Sequence, residues 1–290
     1  MASILQAVGA DAVLKQVCLA TNRIFSKHTL KRGGRESPEA YAEMEFQRGW
    51  SSLEIYKPYD SIEDKYILDF CCGMGGKSTY YALHGARWVH GFDVDEKRIA
   101  AARDFASTKE ADNITFEACD ASSLPYPSDE FDLIIMSDSF EHLSDTESSL
   151  RECYRVLKRG GTLNVDFMPY RWKWGAHLYD YIYIPWCQLF FPERVLVEVW
   201  KEGFVRDYQS GRNRHTSYSP SDLDGITTIS ELVGLNKIKI SDYEKLIDRT
   251  EFKTLVYRFG DMRRRYVLPY TVFPFLKEFL TGKVISVLQK

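Results

Sequence analysis

From Lys65 to Phe167 short apolar runs alternate with stretches of helical period. Lys65–Phe70 is a β-branched and aromatic run that closes on a glycine-rich turn, so it predicts a strand. Gly76–His84 then predicts a helix, stopped by Gly85. Arg87–Asp93 predicts a second strand, and Asp95–Ser107 a helix with Ile99, Ala102 and Phe105 along one side. Asn113–Asp120 and Phe131–Ser137 predict strands three and four, the latter apolar enough to be buried on both faces. A helix is expected from about Thr146, because Leu150, Cys153, Tyr154 and Leu157 fall at i, i+3, i+4 and i+7, and Gly160–Gly161 is placed to end it. Thr162–Phe167 predicts strand five. This order implies an α/β fold: a doubly wound, mostly parallel sheet with right-handed crossovers.

The pattern weakens outside this core. Residues 1–30 read as helix, without the compact apolar block and cleavage site of a signal peptide. Ser37–Pro38 is a helix start, with Pro at the first helical position, so 38–50 should be helical. Residues 168–228 read as an irregular insertion. Ser241 and Glu244 have capping-box spacing ahead of Tyr243, Leu246 and Ile247. Phe252–Phe259 and Lys283–Leu288 predict two final strands. Four segments result: an N-terminal helical cap at 1–60, a core at 61–167, an insertion or lid at 168–228, and completion of the sheet at 229–290.

Composition narrows the function classes. The 290 residues are 44% apolar and 27% charged, with a net charge of −3. No strong global field draws such a chain onto nucleic acid or an acidic membrane, so any such binding would have to be local. None of the six cysteines forms a CxxC pair or stands near a His at zinc-ligand spacing, so free thiols and no metal are expected. No apolar run approaches the ~20 residues of a membrane span. A cytoplasmic enzyme is the expectation.

The chemistry concentrates on three strand ends. After Ile67-Leu68-Asp69, Gly73 and Gly75 let backbone pass close to a ligand, and the following helix aims N–H groups at an anion. Asp69 can accept from an ammonium group. Asp93, about twenty residues on, stands where a doubly wound fold sets a carboxylate against ribose hydroxyls. Asp95 is the better helix cap, which leaves Asp93 free. Asp120, closing the third strand, can accept from a purine amine. Taken singly, each is as readily a turn or cap residue. Together they face one crevice and match the polar handles of S-adenosylmethionine.

Residues 65–167 thereby resemble the core of the class I S-adenosylmethionine-dependent methyltransferases (a small-molecule, type 11-like domain). The nucleotide loop is Leu68-Asp69-Phe70-Cys71-Cys72-Gly73-Met74-Gly75-Gly76, with Cys71 where the family usually has Gly. The ribose acid lies in Gly91-Phe92-Asp93-Val94-Asp95, and the adenine acid in Cys119-Asp120-Ala121-Ser122. Strand four matches in Phe131-Asp132-Leu133-Ile134-Ile135-Met136, followed by Phe140-Glu141-His142-Leu143. The turn before strand five matches in Leu157-Lys158-Arg159-Gly160-Gly161. The resemblance implies a seven-stranded Rossmann-like sheet with an antiparallel last strand. It implies a cofactor site of Asp69, Phe70, Cys71, Gly73, Met74, Gly75, Asp93, Val94, Asp120, Ala121 and Ser137, and S-adenosylhomocysteine as product.

The acceptor site should lie over the crevice. The aromatic run after Met168 suggests a small apolar or aromatic acceptor; equally, those rings could only pack the insertion onto the sheet. Candidate bases are His142, His177 and Asp180, the last two on one side if that stretch is helical. Each of the three is as readily a packing or capping residue. His28, His84, His90 and His215 read as structural or exposed. Arg206, Arg212, Arg214 and His215, and Arg263-Arg264-Arg265, read as solvated faces or as holders of an acceptor's phosphate or carboxylate. The rivals are an NAD-dependent oxidoreductase, whose G-x-G-x-x-G turn fits poorly here, and a non-catalytic cofactor-binding scaffold.

Overall fold

The computed structural model describes residues 2–26, 37–57, 59–211, 219–260 and 273–290. It divides into two compact units, one of residues 36–168, 240–263 and 283–290, the other of 1–35, 169–239 and 264–282.

The first unit is built on a seven-stranded sheet of order β3-β2-β1-β4-β5-β7-β6. Its strands are β1 (Tyr66–Phe70), β2 (Trp88–Asp93), β3 (Ile114–Ala118), β4 (Phe131–Ser137), β5 (Leu157–Phe167), β6 (Lys253–Gly260) and β7 (Lys283–Gln289). Neighbours among β1–β5 pair in parallel, and β7 runs antiparallel to both β5 and β6. This is the fold the motifs imply. The apolar runs are buried because the central strands are covered on both faces: Ile67, Leu68, Leu133, Ile134, Ile135 and Met136 are at most 1% exposed. Strand order reverses at β1, which has β2 on one side and β4 on the other. Such a reversal opens a crevice at the carboxyl ends of the strands.

The helices of this unit are α2 (Pro38–Glu54), α3 (Gly76–Leu83), α4 (Glu96–Thr108), α5 (Thr146–Val156) and α9 (Ile240–Ile247). Helix α2 starts as its sequence dictates: the Ala40 N–H donates to the Ser37 hydroxyl, and Pro38 opens the first turn. It lies so close to α3 that a Cβ on Gly49 would fall 2.2 Å from the Tyr80 ring.

Two sequence expectations need correction here. The helix α5 ends at Val156, not at the glycines, because Leu157 is already extended and pairs with Phe131. The glycines instead lie inside the long β5, with Gly160 left-handed at φ 80° and a register shift opposite Phe131 and Leu133. They make a bulge, not a stop. Ser241 is no cap, since α9 already begins at Ile240, whose fully buried side chain anchors that turn.

The second unit contains α1 (Ala2–Ser26), α6 (Cys187–Phe190), α7 (Glu193–Gln209), α8 (Ile229–Val233) and a short helix Lys277–Leu280. The segment read as irregular therefore holds a 17-residue helix, α7. Leu196, Val199, Trp200 and Gly203 carry its period and are buried. The Trp200 ring stacks on Phe204 at 5.6 Å and meets Tyr181 edge-on at 4.9 Å. Part of the aromatic richness is thus simply this unit's core. Asn22 of α1 is tied to it twice, donating to the Tyr181 carbonyl at 2.7 Å and accepting from the Tyr183 N–H at 2.6 Å. Among the described residues no helix is long and apolar enough to cross a membrane.

Candidate functional site

At the end of β1 the chain bends sharply. Cys71, Gly73 and Gly75 all take positive φ, at 57°, 57° and 73°. The bend is fixed by the Cys72 N–H donating to the Phe92 carbonyl at 2.7 Å and the Gly75 N–H to the Cys72 carbonyl at 3.1 Å. The two motif glycines do different work. A Cβ on Gly73 would meet nothing within 4 Å, so this position leaves open space beside the backbone. A Cβ on Gly75 would fall 2.7 Å from Ala102 and 2.8 Å from Phe116. Its missing side chain makes room for protein, contrary to the ligand approach expected of it. Gly75→Ala is therefore expected to destabilise the unit by about 1–3 kcal/mol, from overpacking added to left-handed strain. Urea unfolding of the variant checks this.

Asp93 is buried and accepts at both carboxylate oxygens: from the Gly73 N–H at 3.1 Å and from the Asp95 N–H at 3.1 Å, with Arg98 at 3.7 Å. It is not free, as its sequence position suggested, but holds the glycine bend in place. Asp95 does cap α4, accepting from the Lys97 N–H at 2.9 Å. Asp69 is also buried and accepts from the Ser78 hydroxyl. Burial pushes its carboxyl up to about 6, against the pull of Ser78 and Lys77.

The other expected cofactor positions are less uniform. The Phe70 side chain is core, edge-on to Phe92 at 4.6 Å, so only its backbone faces the bend. The Val94 side chain is 73% exposed. Met74 and Ala121 are half-buried. Asp120 is exposed and accepts from the Ser122 N–H at 2.7 Å and hydroxyl at 2.6 Å, which hold its carboxyl below the usual range. Asp69 and Asp93 are close enough for each charge to matter to the Cys71 thiol, which burial pushes well up and Asp93, Asp69 and Cys119 push further. Two of the three carboxylates thus converge on one bend, and the segment bearing the third adjoins it.

Beside them runs a chain of charges that the sequence reading missed. Lys77 donates to the Ser137 hydroxyl at 3.2 Å and pairs with Glu45 at 3.2 Å and Asp138 at 3.8 Å. Lys283 bridges Asp138, at 3.0 Å, and the fully buried Asp166. Asp166 also accepts from the Tyr56 hydroxyl at 2.6 Å. The one available signal was a charged residue, Asp166, inside the strand-forming Leu163–Phe167 run. Glu141 was missed too. It is buried, accepts from the Met168 N–H at 3.1 Å, and burial pushes its carboxyl up to about 8.

Of the candidate bases, His142 is exposed just beyond β4. His177 and Asp180 belong to the other unit and are not on a helix: His177 is left-handed at φ 54°, in a run of turns, so helical spacing does not bring the two together. His84 stacks on Tyr80 at 3.8 Å, and His90 bonds Thr115 at 2.9 Å, both as structural residues. Arg206 is an exposed residue of the last turn of α7. His28, Arg212, Arg214, His215 and Arg263–Arg265 lie outside the described residues.

Residues 67–161, which hold the bend, Asp69, Asp93 and Asp120, match the family model described as a methyltransferase domain. Residues 67–161 are thus a methyltransferase domain. This methyltransferase core is 32% identical over 113 residues to methyltransferase GfsG of Streptomyces halstedii, covering 39% of this chain and 41% of that one. It is 35% identical over 104 residues to 27-O-demethylrifamycin SV methyltransferase of Amycolatopsis mediterranei, covering 35% and 38%. It is 31% identical over 123 residues to a ubiquinone biosynthesis O-methyltransferase of Coxiella burnetii, covering 41% and 52%. The match thus spans about half or less of each relative's length. In fold, the chain is similar to an S-adenosylmethionine-dependent methyltransferase from Mesorhizobium loti, with TM-score 0.53, 18% identity and coverage of 83% and 97%. It is equally similar to the PH0226 protein of Pyrococcus horikoshii, with TM-score 0.53, 20% identity and coverage of 84% and 91%.

Proposed function

We propose that the protein transfers a methyl group from S-adenosylmethionine to a small apolar or aromatic acceptor, releasing S-adenosylhomocysteine. The observation that carries this is the pair of buried carboxylates, Asp69 and Asp93, at the carboxyl ends of adjacent strands beside the open face of Gly73. In this reading Asp69 holds the cofactor's ammonium group and Asp93 its ribose hydroxyls. Val94 lies against the purine, and Asp120 with Ala121 meets its amine. Ser137, fixed by Lys77, borders the reacting end. When bound, the sulfonium supplies the chemical drive. The chain's own residues orient the two reactants in line and exclude water. Two relatives are named for small molecules, one a demethylrifamycin and one, on oxygen, in ubiquinone biosynthesis, which favours an acceptor of that class here. For a hydroxyl acceptor, His142 is the candidate base beside β4.

Thermal shift and calorimetry with S-adenosylmethionine, S-adenosylhomocysteine and NAD test the reading, because a ligand of the native state raises the melting point. Stabilisation by the two sulfur nucleosides and not by NAD is expected; stabilisation by NAD alone defeats it. A pH series adds a sharper check. Only ionised Asp69 attracts an ammonium group, and its carboxyl sits near 6 rather than at the ordinary value of 3.8. Cofactor affinity should therefore weaken as pH falls from about 7 to about 5, by about tenfold for each unit below that pKa. Asp69→Asn should bind weakly at every pH and show no such step.

A further inference from the structure

The unit of residues 1–35, 169–239 and 264–282 exposes several large apolar side chains. Phe190 is 69% exposed, Ile24 64% and Phe275 62%. These are not scattered single residues. The end of α1 and the segment around α6 share a shallow hollow lined by Phe25, Ile184, Trp186 and Phe190. Trp186 then ties this edge to the next two segments: its indole N–H donates to the Phe279 carbonyl at 3.2 Å, and its backbone N–H to the Lys173 carbonyl at 2.9 Å. Arg171 lies over the Phe279 ring at 5.6 Å. Exposed aromatic and aliphatic side chains on adjoining segments make a patch of the kind that marks a docking surface.

The charges around it indicate what docks. Arg23, Arg171, Lys173 and Lys277 lie on the segments that form the patch, against one half-buried acid, Asp180, and the buried Glu278. A second copy of the chain would bring the same cations against themselves. Anionic lipid headgroups complement them, and the rings and aliphatic side chains can enter the headgroup boundary below. We propose that this face rests on an anionic phospholipid bilayer, as a peripheral contact and not a span. The inference is independent of methyl transfer, since its readout is binding to lipid.

Sedimentation with vesicles tests it on the full chain. Vesicles of phosphatidylcholine with about a third phosphatidylglycerol should carry down about tenfold more protein than phosphatidylcholine alone, from cations of this number near a charged surface. Salt near 0.5 M should remove most of that gain by screening. Phe190→Glu and Phe275→Glu should each lose binding while keeping the wild-type melting point, because both side chains are exposed in the fold. Equal binding to neutral and anionic vesicles would overturn the proposal, as would no binding to either. So would a concentration-dependent dimer, seen by ultracentrifugation, that both glutamate variants abolish.

Discussion

Asp93→Ala is expected to weaken S-adenosylmethionine binding by about a hundredfold or more, because it removes charge-assisted bonds to a ribose diol, each worth about 1.5–3 kcal/mol. The loss has a second source. Asp93 also receives the Gly73 N–H and the Asp95 N–H, so without it the glycine bend loses the anchor that sets its shape. Asp93→Asn separates the two contributions. It keeps an oxygen for Gly73 but drops the charge, and should fall between wild type and alanine. Calorimetric titration gives the numbers, and the melting point of each variant shows that the sheet survives. Affinity for Asp93→Ala within threefold of wild type would remove Asp93 from the cofactor site.

The second large effect is on stability. Asp166→Ala should cost about 3–5 kcal/mol, the range for breaking a buried ion pair by deleting one partner. Asp166 is fully buried and accepts from both Tyr56 and Lys283, so its removal leaves a buried hydroxyl without its acceptor. It also leaves the Lys283 ammonium only Asp138, at 3.0 Å, which is half exposed. At roughly 2–4 °C per kcal/mol for a unit of this size, melting should drop by about 10 °C. Asp166→Asn keeps an acceptor for Tyr56 and should lose less. A change under about 1 kcal/mol in urea titration would show that the chain of charges contributes little to the fold.

Much of the sheet could be read from residues 65–167 because each strand there is a short, largely apolar or β-branched run closed by a turn residue. Local order and strand type followed directly. The errors lie where tertiary packing overrode a local signal. Gly160 and Gly161 have the composition of a helix stop, yet serve a bulge because Leu157 already pairs with Phe131. Gly75 resembles a ligand-approach glycine, yet its empty side faces Ala102 and Phe116, from elements far along the chain. The strand-end acids were legible because topology alone sets them on one edge. Lys77, Asp138, Lys283 and Asp166 were not, since no spacing rule links a helix turn, two strand ends and the opening of β7. Helix α7 was hidden by the dense rings before it, although its own positions have helical period.

Strand β7 lies between β5 and β6, which touch each other only through it. Until Lys283–Gln289 arrives, the emerging polypeptide can assemble five parallel strands but must leave the rim at β5 bare, and β6 has no hydrogen-bonding neighbour at all. Uncovered strand rims recruit other chains. A ribosome stalled shortly before Lys283 would therefore hold a sticky half-built sheet, and β7 is the strand that seals it.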